Sequence, residues 1–196
     1  MTKENYTLEQ KCRICSSTNL TMILDLGEQP PANSFIDKNE LNSSESKFPL
    51  RLFWCGDCYL VQLLDIVDKE FLFKNYFYMT SASKPIVDHF KKYAQDVYVE
   101  FLKEEKNPFV VEIGSNDGSL LSEFKKLGTQ ILGIEPATNL SNLANQSNIT
   151  TKNTFFSSQV CKEIIKSRNA KVVVANNVIA HVEDLQDLMH GIQILL

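Results

Sequence analysis

The sequence of 196 residues predicts an α/β fold, with a small cysteine-bearing module ahead of a parallel sheet. Two observations lead to this prediction. Two C-x-x-C pairs lie in the N-terminal third, and from residue 109 onward short apolar runs alternate with helical patterns. Strands that alternate with helices form parallel sheets, because a helical crossover returns the chain to the same edge. We accordingly divide the chain into a first module, 1–75, and a second, 76–196.

The composition is that of an ordinary globular chain, with 43% hydrophobic and 22% charged residues. A formal net charge of −4 argues against a nucleic acid partner. No apolar run approaches the roughly 20 residues that cross a bilayer, so we expect no membrane partner. The polar N-terminus does not have the pattern of a signal peptide. We therefore expect a cytoplasmic protein whose cysteines are reduced unless a metal holds them.

Four of the five cysteines form the two C-x-x-C pairs, Cys12 with Cys15 and Cys55 with Cys58. Such a turn aims two thiolates at one point, and two turns complete a tetrahedral Zn²⁺ site. The alternatives are a disulfide pair or a redox dithiol, but a redox motif occurs once, at a strand-to-helix junction. Four cysteine ligands leave no position for water, which makes the predicted zinc structural. Cys161 lies in a helical pattern and is interpreted as a buried thiol.

The second module begins with a long amphipathic helix, recognised by apolar residues at three- and four-residue steps. Continuous apolar runs then indicate strands that are covered on both faces. In chain order we predict a helix over 84–104, a strand over 109–113, a helix over 117–127, a strand over 131–134, a helix over 138–146, a short strand near 149–151, a helix over 157–167, a strand over 171–175 and a helix over 183–196.

The strand 109–113 breaks into a glycine turn that reads E-I-G-S-N-D-G. Gly114 and Gly118 let backbone N–H groups approach a ligand, and ligands bind at the carboxyl ends of strands in open α/β sheets. A dinucleotide fingerprint has G-x-G-x-x-G, whereas here Ser115 stands where the second glycine would admit a pyrophosphate. The acidic loop thus suits a cationic ligand without phosphates, such as S-adenosylmethionine. Glu135, which ends the next strand, is placed to accept the ribose hydroxyls of an adenosine.

Several segments of the chain together match one family of enzymes. They are Cys12-Arg13-Ile14-Cys15, 26–35, Phe48-Pro49-Leu50, Cys55-Gly56-Asp57-Cys58, Val61-Gln62-Leu63, Asn75-Tyr76-Phe77-Tyr78, 112–118, 133–137 and 175–181. With these segments the whole chain resembles the S-adenosylmethionine-dependent C-methyltransferases that act on nucleotide-linked keto-deoxysugars. The resemblance implies a four-cysteine zinc-binding module followed by a Rossmann-like class I methyltransferase sheet. It also implies S-adenosylmethionine and structural zinc as cofactors.

The resemblance further implies a thymidine-diphosphate 4-keto-deoxyhexose as substrate, methylated at the carbon beside its ketone. That carbon becomes nucleophilic only when its α-proton is removed, so the enzyme needs a base and a group that stabilises the enolate. On this basis the catalytic candidates are His181, Tyr76 and Asn177. The candidate cofactor contacts are Tyr78, Glu112, Gly114, Ser115, Asn116, Gly118, Glu135, Pro136 and Asn176.

The same family has later strands, a Glu-His pair that serves as general base, and a further domain, which these 196 residues do not contain. We therefore expect a partial sheet that is joined to a zinc module and that transfers methyl groups weakly or not at all. One alternative is a non-catalytic zinc- and nucleotide-binding module that another chain completes. An NAD-dependent enzyme is disfavoured by Ser115 and Asn116, which stand where a phosphate-binding glycine is expected. The exact sugar and the oligomeric state stay open.

Overall fold

The computed structural model describes residues 6–196. It divides into two compact units: residues up to Phe77 with Glu183–Leu185, and Tyr78–Val182 with Gln186–Leu196. The boundary that the sequence suggests between residues 75 and 76 stays a prediction.

The first unit is built from short antiparallel strands. Its elements are β1 (Tyr6–Leu8), β2 (Leu20–Gln29), β3 (Phe48–Cys55), β4 (Val61–Leu63), β5 (Asp65–Val67) and the short helix α1 (Lys69–Phe73). Strands β2, β3 and β4 form one sheet in that order, and β1 pairs with β5. The polar stretch between the two cysteine pairs lies between β2 and β3 and contains the 3-10 turn Lys38–Glu40.

A few specific contacts hold the first unit together. The Phe48 ring packs edge-on against Tyr6 and Phe71, with ring centroids 6.1 and 5.4 Å away. Arg51 donates from Nε to Asp65 Oδ2 at 2.9 Å and from Nη2 to Asp65 Oδ1, so the pair is bidentate. Asp65 is buried, and a buried carboxylate requires such a partner.

The second unit contains four strands and five α-helices among the described residues. The strands are β6 (Phe109–Ile113), β7 (Gln130–Ile134), β8 (Thr151–Lys152) and β9 (Val172–Ala175). The helices are α2 (Lys84–Val97), α3 (Ser119–Lys126), α4 (Thr138–Gln146), α5 (Ser158–Ile164) and α6 (Leu185–Leu195), whose first residue is grouped with the other unit.

The four strands form one parallel sheet in the order β8-β7-β6-β9. In the register of β6, Glu112 lies beside Gly133 of β7 and Val174 of β9. All four strands therefore end at one edge, which brings the loops after β6, β7 and β9 together. The predicted α/β class, with a cysteine cluster ahead of a parallel sheet, is confirmed.

Apolar clusters cover both faces of this sheet, because neighbouring residues of a strand point to opposite faces. Val110 belongs to a cluster with residues of α2, α3 and α4. Val111, the next residue, belongs to a second cluster with residues of α5 and α6. A central strand with apolar residues on both faces is the pattern expected of a buried parallel sheet.

Three elements differ from their predictions in ways that go beyond a residue or two at their ends. The helix predicted over 84–104 ends as an α-helix at Val97 and continues as a π-helical turn, Tyr98–Leu102. The helix predicted over 157–167 ends at Ile164, where the hydroxyl of Ser167 donates to the Ile164 carbonyl at 2.8 Å. The third strand has only two residues, Thr151 and Lys152, and the Asn145 side chain bonds both backbone groups of Thr151.

Candidate functional site

The four cysteines of the two C-x-x-C pairs lie together in the first unit. Their sulfur atoms all lie within 4.8 Å of one another, with Cys12 Sγ 3.5 Å from Cys58 Sγ and Cys15 Sγ 3.6 Å from Cys55 Sγ. Tetrahedral zinc with Zn–S bonds of about 2.3 Å needs sulfur atoms about 3.8 Å apart. The donor set and its spacing therefore fit a structural zinc ion.

Backbone and side-chain donors prepare Cys12 for a metal. Burial acts to raise its pKa, but N–H groups of Cys15 and Ile14 and the Gln62 amide outweigh burial and lower the pKa to about 6. Gln62 Nε2 donates to Cys12 Sγ at 3.3 Å, while its Oε1 accepts from the Arg13 N–H at 2.9 Å. Zinc binds the thiolate, so donors aimed at the sulfur favour the form that coordinates the metal.

A second set of contacts joins the two cysteine turns. Asp57, inside the second turn, accepts from Ser17 Oγ at 2.6 Å and from Asn19 Nδ2 at 2.9 Å, and these bonds lower its pKa. Gly56 allows this close approach, because a Cβ there would lie 2.5 Å from Asn19 Nδ2. Sequence reasoning missed these contacts and that of Gln62. The one signal in the sequence for these contacts was the position of Asp57 between Cys55 and Cys58, two of the predicted zinc ligands.

The glycine loop of the second unit requires unusual backbone angles. Gly114 and Gly118 have φ of 65° and 80°, and Asn116 between them has φ of 52°. These are left-handed values that glycine adopts freely and asparagine tolerates. A Cβ on Gly114 would also lie 2.5 Å from Val178 Cγ2, in the loop after β9. Gly114 thus permits the loops after β6 and β9 to pack together.

Glu135 is held in place by two backbone amides. Its Oε2 accepts from Asn116 N and its Oε1 from Ala137 N, both at 2.8 Å. The side chain is largely buried, and burial raises its pKa against the opposing effect of those N–H groups. Each oxygen keeps a second acceptor site for a hydroxyl. After Glu135, the carbonyl of Pro136 accepts from Asn153 Nδ2 at 2.9 Å.

Three buried polar atoms near the ends of β6 and β9 lack a hydrogen-bond partner among the described residues. They are Glu112 Oε2, Ser115 Oγ and Asn176 Nδ2. Burial raises the pKa of Glu112 well above its usual value, and the charges of Glu135 and Asp117 add to this. The Asn176 side chain opposes it as a donor that lies nearby but forms no hydrogen bond of normal geometry with Glu112. Unpaired buried polar groups are costly and rare, so this set indicates a place for a polar ligand. A cationic amino group meeting Glu112 fits that requirement, which is the chemistry of the amino acid end of S-adenosylmethionine.

Two catalytic candidates follow β9. Asn177 is exposed with φ of 55°, and His181 is an exposed residue that ends the 3-10 turn Ile179–His181. The backbone N–H of His181 donates to the Val178 carbonyl at 2.9 Å. Both residues thus lie after the same strand end as Asn176, and their catalytic roles stay predictions.

The two tyrosines belong to different units. Tyr76, in the first unit, accepts from Asn33 Nδ2 at 3.0 Å and packs against Phe73. Tyr78, in the second unit, is exposed, and its carbonyl accepts from Asn116 Nδ2 at 3.0 Å. Tyr78 is thereby tied to the glycine loop, whereas the catalytic role of Tyr76 stays a prediction.

None of the helices within residues 6–196 combines the length and apolar character needed to span a membrane.

Two family models match the chain. One, described as "Putative zinc binding domain", matches residues 12–73, and the other, described as "Methyltransferase domain", matches residues 87–196. The C-methyltransferase NovU of Streptomyces niveus is 29% identical over 187 residues, which cover 95% of this chain and 44% of NovU. The chain therefore spans less than half the length of this curated relative.

Among solved structures, the plantazolicin methyltransferase BpumL in complex with SAH matches with 18% identity and a TM-score of 0.41. That match covers 56% of this chain and 41% of the other. BpumL with a triazolic desmethylPZN analog and SAH matches with 16% identity and a TM-score of 0.46, over 59% of this chain and 45% of the other.

The two family models and the match to NovU agree with the resemblance drawn from the sequence, and the cysteine cluster agrees with structural zinc as a cofactor. The zinc-binding model covers all four clustered cysteines, and the methyltransferase model covers the glycine loop, Glu135 and the β9 loop. Since the second model matches more than half of the chain, the protein belongs to the methyltransferase domain family, and the model described as "Putative zinc binding domain" matches the residues ahead of that domain.

Proposed function

We propose that the chain is part of an S-adenosylmethionine-dependent C-methyltransferase that acts on a nucleotide-linked keto-deoxysugar through an enolate. The observation that carries cofactor binding is the unpaired Glu112 Oε2, buried a few residues from the left-handed loop and near Glu135. The similarity to the C-methyltransferase NovU supports carbon as the atom that accepts the methyl group.

Each polar group at the sheet edge has a distinct part in binding. Glu112 receives the cationic amino group, which removes the cost of burying an unpaired carboxylate. Glu135 accepts the ribose hydroxyls with the acceptor sites that Asn116 N and Ala137 N leave free. Asn176 donates its unused Nδ2 hydrogens to the cofactor.

The bound cofactor supplies a methyl group on a sulfonium, which a carbon nucleophile accepts as the C–S bond breaks. The chain must create that nucleophile. His181 takes the proton from the carbon beside the ketone, and Asn177 donates a hydrogen bond to the enolate oxygen that forms. Both side chains follow β9, next to Asn176, so the proton is removed near the cofactor.

We further propose that the 196-residue chain binds the cofactor and transfers methyl groups weakly or not at all, since it spans 44% of the length of its relative. The four cysteines must stay reduced to bind zinc, and on that ground we propose the cytoplasm as its location.

The test is calorimetric titration of the zinc-loaded chain with S-adenosylmethionine, S-adenosylhomocysteine and NAD. We expect saturable binding of both sulfur compounds and none of NAD. Glu135→Gln should weaken both by about tenfold, because a carboxylate forms stronger bonds to hydroxyls than an amide does. Tight NAD binding without a response to S-adenosylmethionine would overturn the proposal.

A second candidate, a non-catalytic binding module that another chain completes, is favoured by the sheet topology. Strand β9 has β6 as its one paired neighbour among the described strands, so its other edge presents unpaired backbone groups. Incubation with methyl-labelled S-adenosylmethionine and a thymidine-diphosphate 4-keto-6-deoxyhexose separates the two. Labelled sugar above the level seen with His181→Ala refutes the module, because a non-catalytic module transfers no methyl group.

A further inference from the structure

The segment 78–83, which leads into α2, is bound to the glycine loop by three hydrogen bonds that involve its backbone. Thr80 N donates to Asn116 Oδ1 at 3.0 Å, and Ser81 N donates to Asp117 Oδ2 at 2.8 Å. The Tyr78 carbonyl accepts from Asn116 Nδ2 at 3.0 Å. All the groups involved belong to the second unit.

Asn116 uses its amide almost completely within the protein. Its Oδ1 accepts from Thr80 N and also from Asp117 N at 2.9 Å, and its Nδ2 donates to Tyr78. A carboxamide has two donors and two acceptor sites, so three of the four are occupied. The backbone N–H of the same residue donates to Glu135. One residue therefore connects the 78–83 segment to the carboxylate proposed to bind the ribose.

Asp117 has a similar double use. Its Oδ2 accepts from Ser81, while its Oδ1 accepts from both the N–H and the hydroxyl of Ser119, at 3.1 and 2.6 Å. The side chain is largely buried. Asp117 thus accepts from the first N–H group of α3 and holds the 78–83 segment at the same time.

We propose that Asn116 and Asp117 are positioning residues that fix the 78–83 segment against the glycine loop. Asn116 affects the cofactor through that segment and through Glu135, and its side-chain amide does not contact the cofactor. The part that concerns the cofactor rests on the proposed function. The part that concerns the segment rests on the hydrogen bonds among five residues, Tyr78, Thr80, Ser81, Asn116 and Asp117, alone.

The arrangement couples cofactor binding to the order of the segment. A ligand that engages Glu135 restrains Asn116 N, and Asn116 in turn restrains Tyr78 and Thr80. Linkage is reciprocal, so a ligand that tightens the segment binds more weakly when the segment is released. Cofactor binding should therefore slow hydrogen exchange at the Thr80 and Ser81 amides.

The test compares Asn116→Gly and Asp117→Asn with the control Asn148→Gly. Residue 148 is an exposed asparagine with φ of 60°, so the control makes the same substitution at a left-handed position away from the segment. Glycine keeps the φ of residue 116 without strain, so the loop itself is preserved. Asp117→Asn conserves shape but replaces one carboxylate oxygen by an NH2 group. The remaining oxygen keeps more bonds on the side of Ser119, which donates twice, so the NH2 group faces the Ser81 N–H.

Two measurements are made on the zinc-loaded chain: hydrogen exchange of the 78–83 amides and the affinity for S-adenosylhomocysteine. One lost hydrogen bond is worth about 1 kcal/mol, so we expect exchange to be roughly fivefold faster at Thr80 in Asn116→Gly and at Ser81 in Asp117→Asn. S-adenosylhomocysteine affinity should fall severalfold in both variants and stay unchanged in Asn148→Gly.

The result that overturns the proposal is a loss of affinity in Asn116→Gly with unchanged exchange at Thr80, since the amide would then contact the cofactor directly. If the parent chain does not bind S-adenosylhomocysteine, the proposed function fails, and the exchange rates alone still decide the positioning role. If Asn116→Gly does not fold, Asp117→Asn decides it through Ser81. Unchanged exchange at Ser81 in a folded Asp117→Asn protein refutes the proposal.

Discussion

The two units of the chain are stabilised by different means. The second unit packs apolar clusters on both faces of a parallel sheet, whereas the buried apolar residues of the first unit are Cys12, Phe48, Cys55 and Leu64 among those described. Several large apolar side chains of β2 are about half exposed: Met22, Ile23, Leu24 and Leu26. A module this small cannot bury enough apolar surface to offset its conformational entropy, so metal ligation must supply the difference.

This contrast predicts that loss of zinc has the largest effect. Cys55→Ser, or treatment with a strong chelator, should unfold the first unit and leave the second folded. Binding of structural zinc is worth on the order of 10 kcal/mol, which exceeds the stability of most small domains. Hydrogen exchange followed by mass spectrometry reports the two units separately.

Cys161→Ala serves as the control for this prediction, since Cys161 is a buried thiol in the second unit, outside the cysteine cluster. The zinc content of the Cys161→Ala protein should remain one ion per chain. If β2 and β3 stayed protected from hydrogen exchange in the metal-free protein, the first unit would not depend on zinc for its stability.

The second prediction concerns the sheet-based unit. Gly114→Ala should destabilise it by about 3 kcal/mol, because a left-handed φ costs an alanine roughly 1–2 kcal/mol and a contact at 2.5 Å with Val178 adds a similar amount. Gly128→Ala is a matched control, with φ of 81° and no atom within 4 Å of the added Cβ. Urea unfolding of the zinc-loaded chain measures the stability of both variants. Equal losses of stability would contradict close packing between the loops after β6 and β9.

The parts of this structure that could be predicted from sequence are those set by local pattern. Strand β6 has the predicted bounds because five consecutive residues suit a doubly covered strand, and helix α4 likewise matches its prediction. The π-helical turn after Val97 and the two-residue β8 could not be predicted, since side-chain and tertiary contacts decide them. The cysteine cluster was predictable because C-x-x-C spacing fixes local geometry.

The supporting contacts of both sites lay beyond sequence reasoning for a physical reason. Gln62 is 50 residues from Cys12, and Asn116 is 36 residues from Thr80. No periodicity links positions that the fold alone brings together. In the first unit, therefore, the four clustered cysteines were predictable, and Gln62, which holds one of them, was not.

The third prediction tests such a supporting contact in the zinc unit. Gln62→Glu replaces the N–H donor to Cys12 by an acceptor that repels the thiolate, so zinc affinity should fall by about 10- to 100-fold. Competition with a chromophoric chelator measures the affinity, and the absorption of the Co²⁺-loaded protein reports the change at sulfur. Gln29→Glu makes the same substitution at an exposed residue of the same unit and should change neither. Equal zinc affinity in the two variants would remove Gln62 from the metal site.

The fourth prediction has the smallest expected effect on stability, and it is a gain where the earlier stability changes are losses. Glu112→Gln should stabilise the cofactor-free second unit, because burial raises the pKa of Glu112 and its ionised form is disfavoured in the fold. An acid whose pKa is raised by folding costs nothing while it is protonated in both states. The cost begins as pH rises through the ordinary value of 4.5, where the unfolded chain ionises, and grows until the folded state ionises too.

The gain from Glu112→Gln should therefore be absent at pH 4 and below and increase as pH rises, as measured by thermal unfolding across a pH series. The same change should weaken S-adenosylmethionine binding by tenfold or more, since the unpaired Oε2 would no longer meet a cation with charge. Glu104→Gln, at an exposed carboxylate of the same unit, is the control and should alter neither property. A stability gain without loss of affinity would mean that the buried carboxylate is not a cofactor contact, whereas a loss of both would mean that Glu112 stabilises the sheet itself.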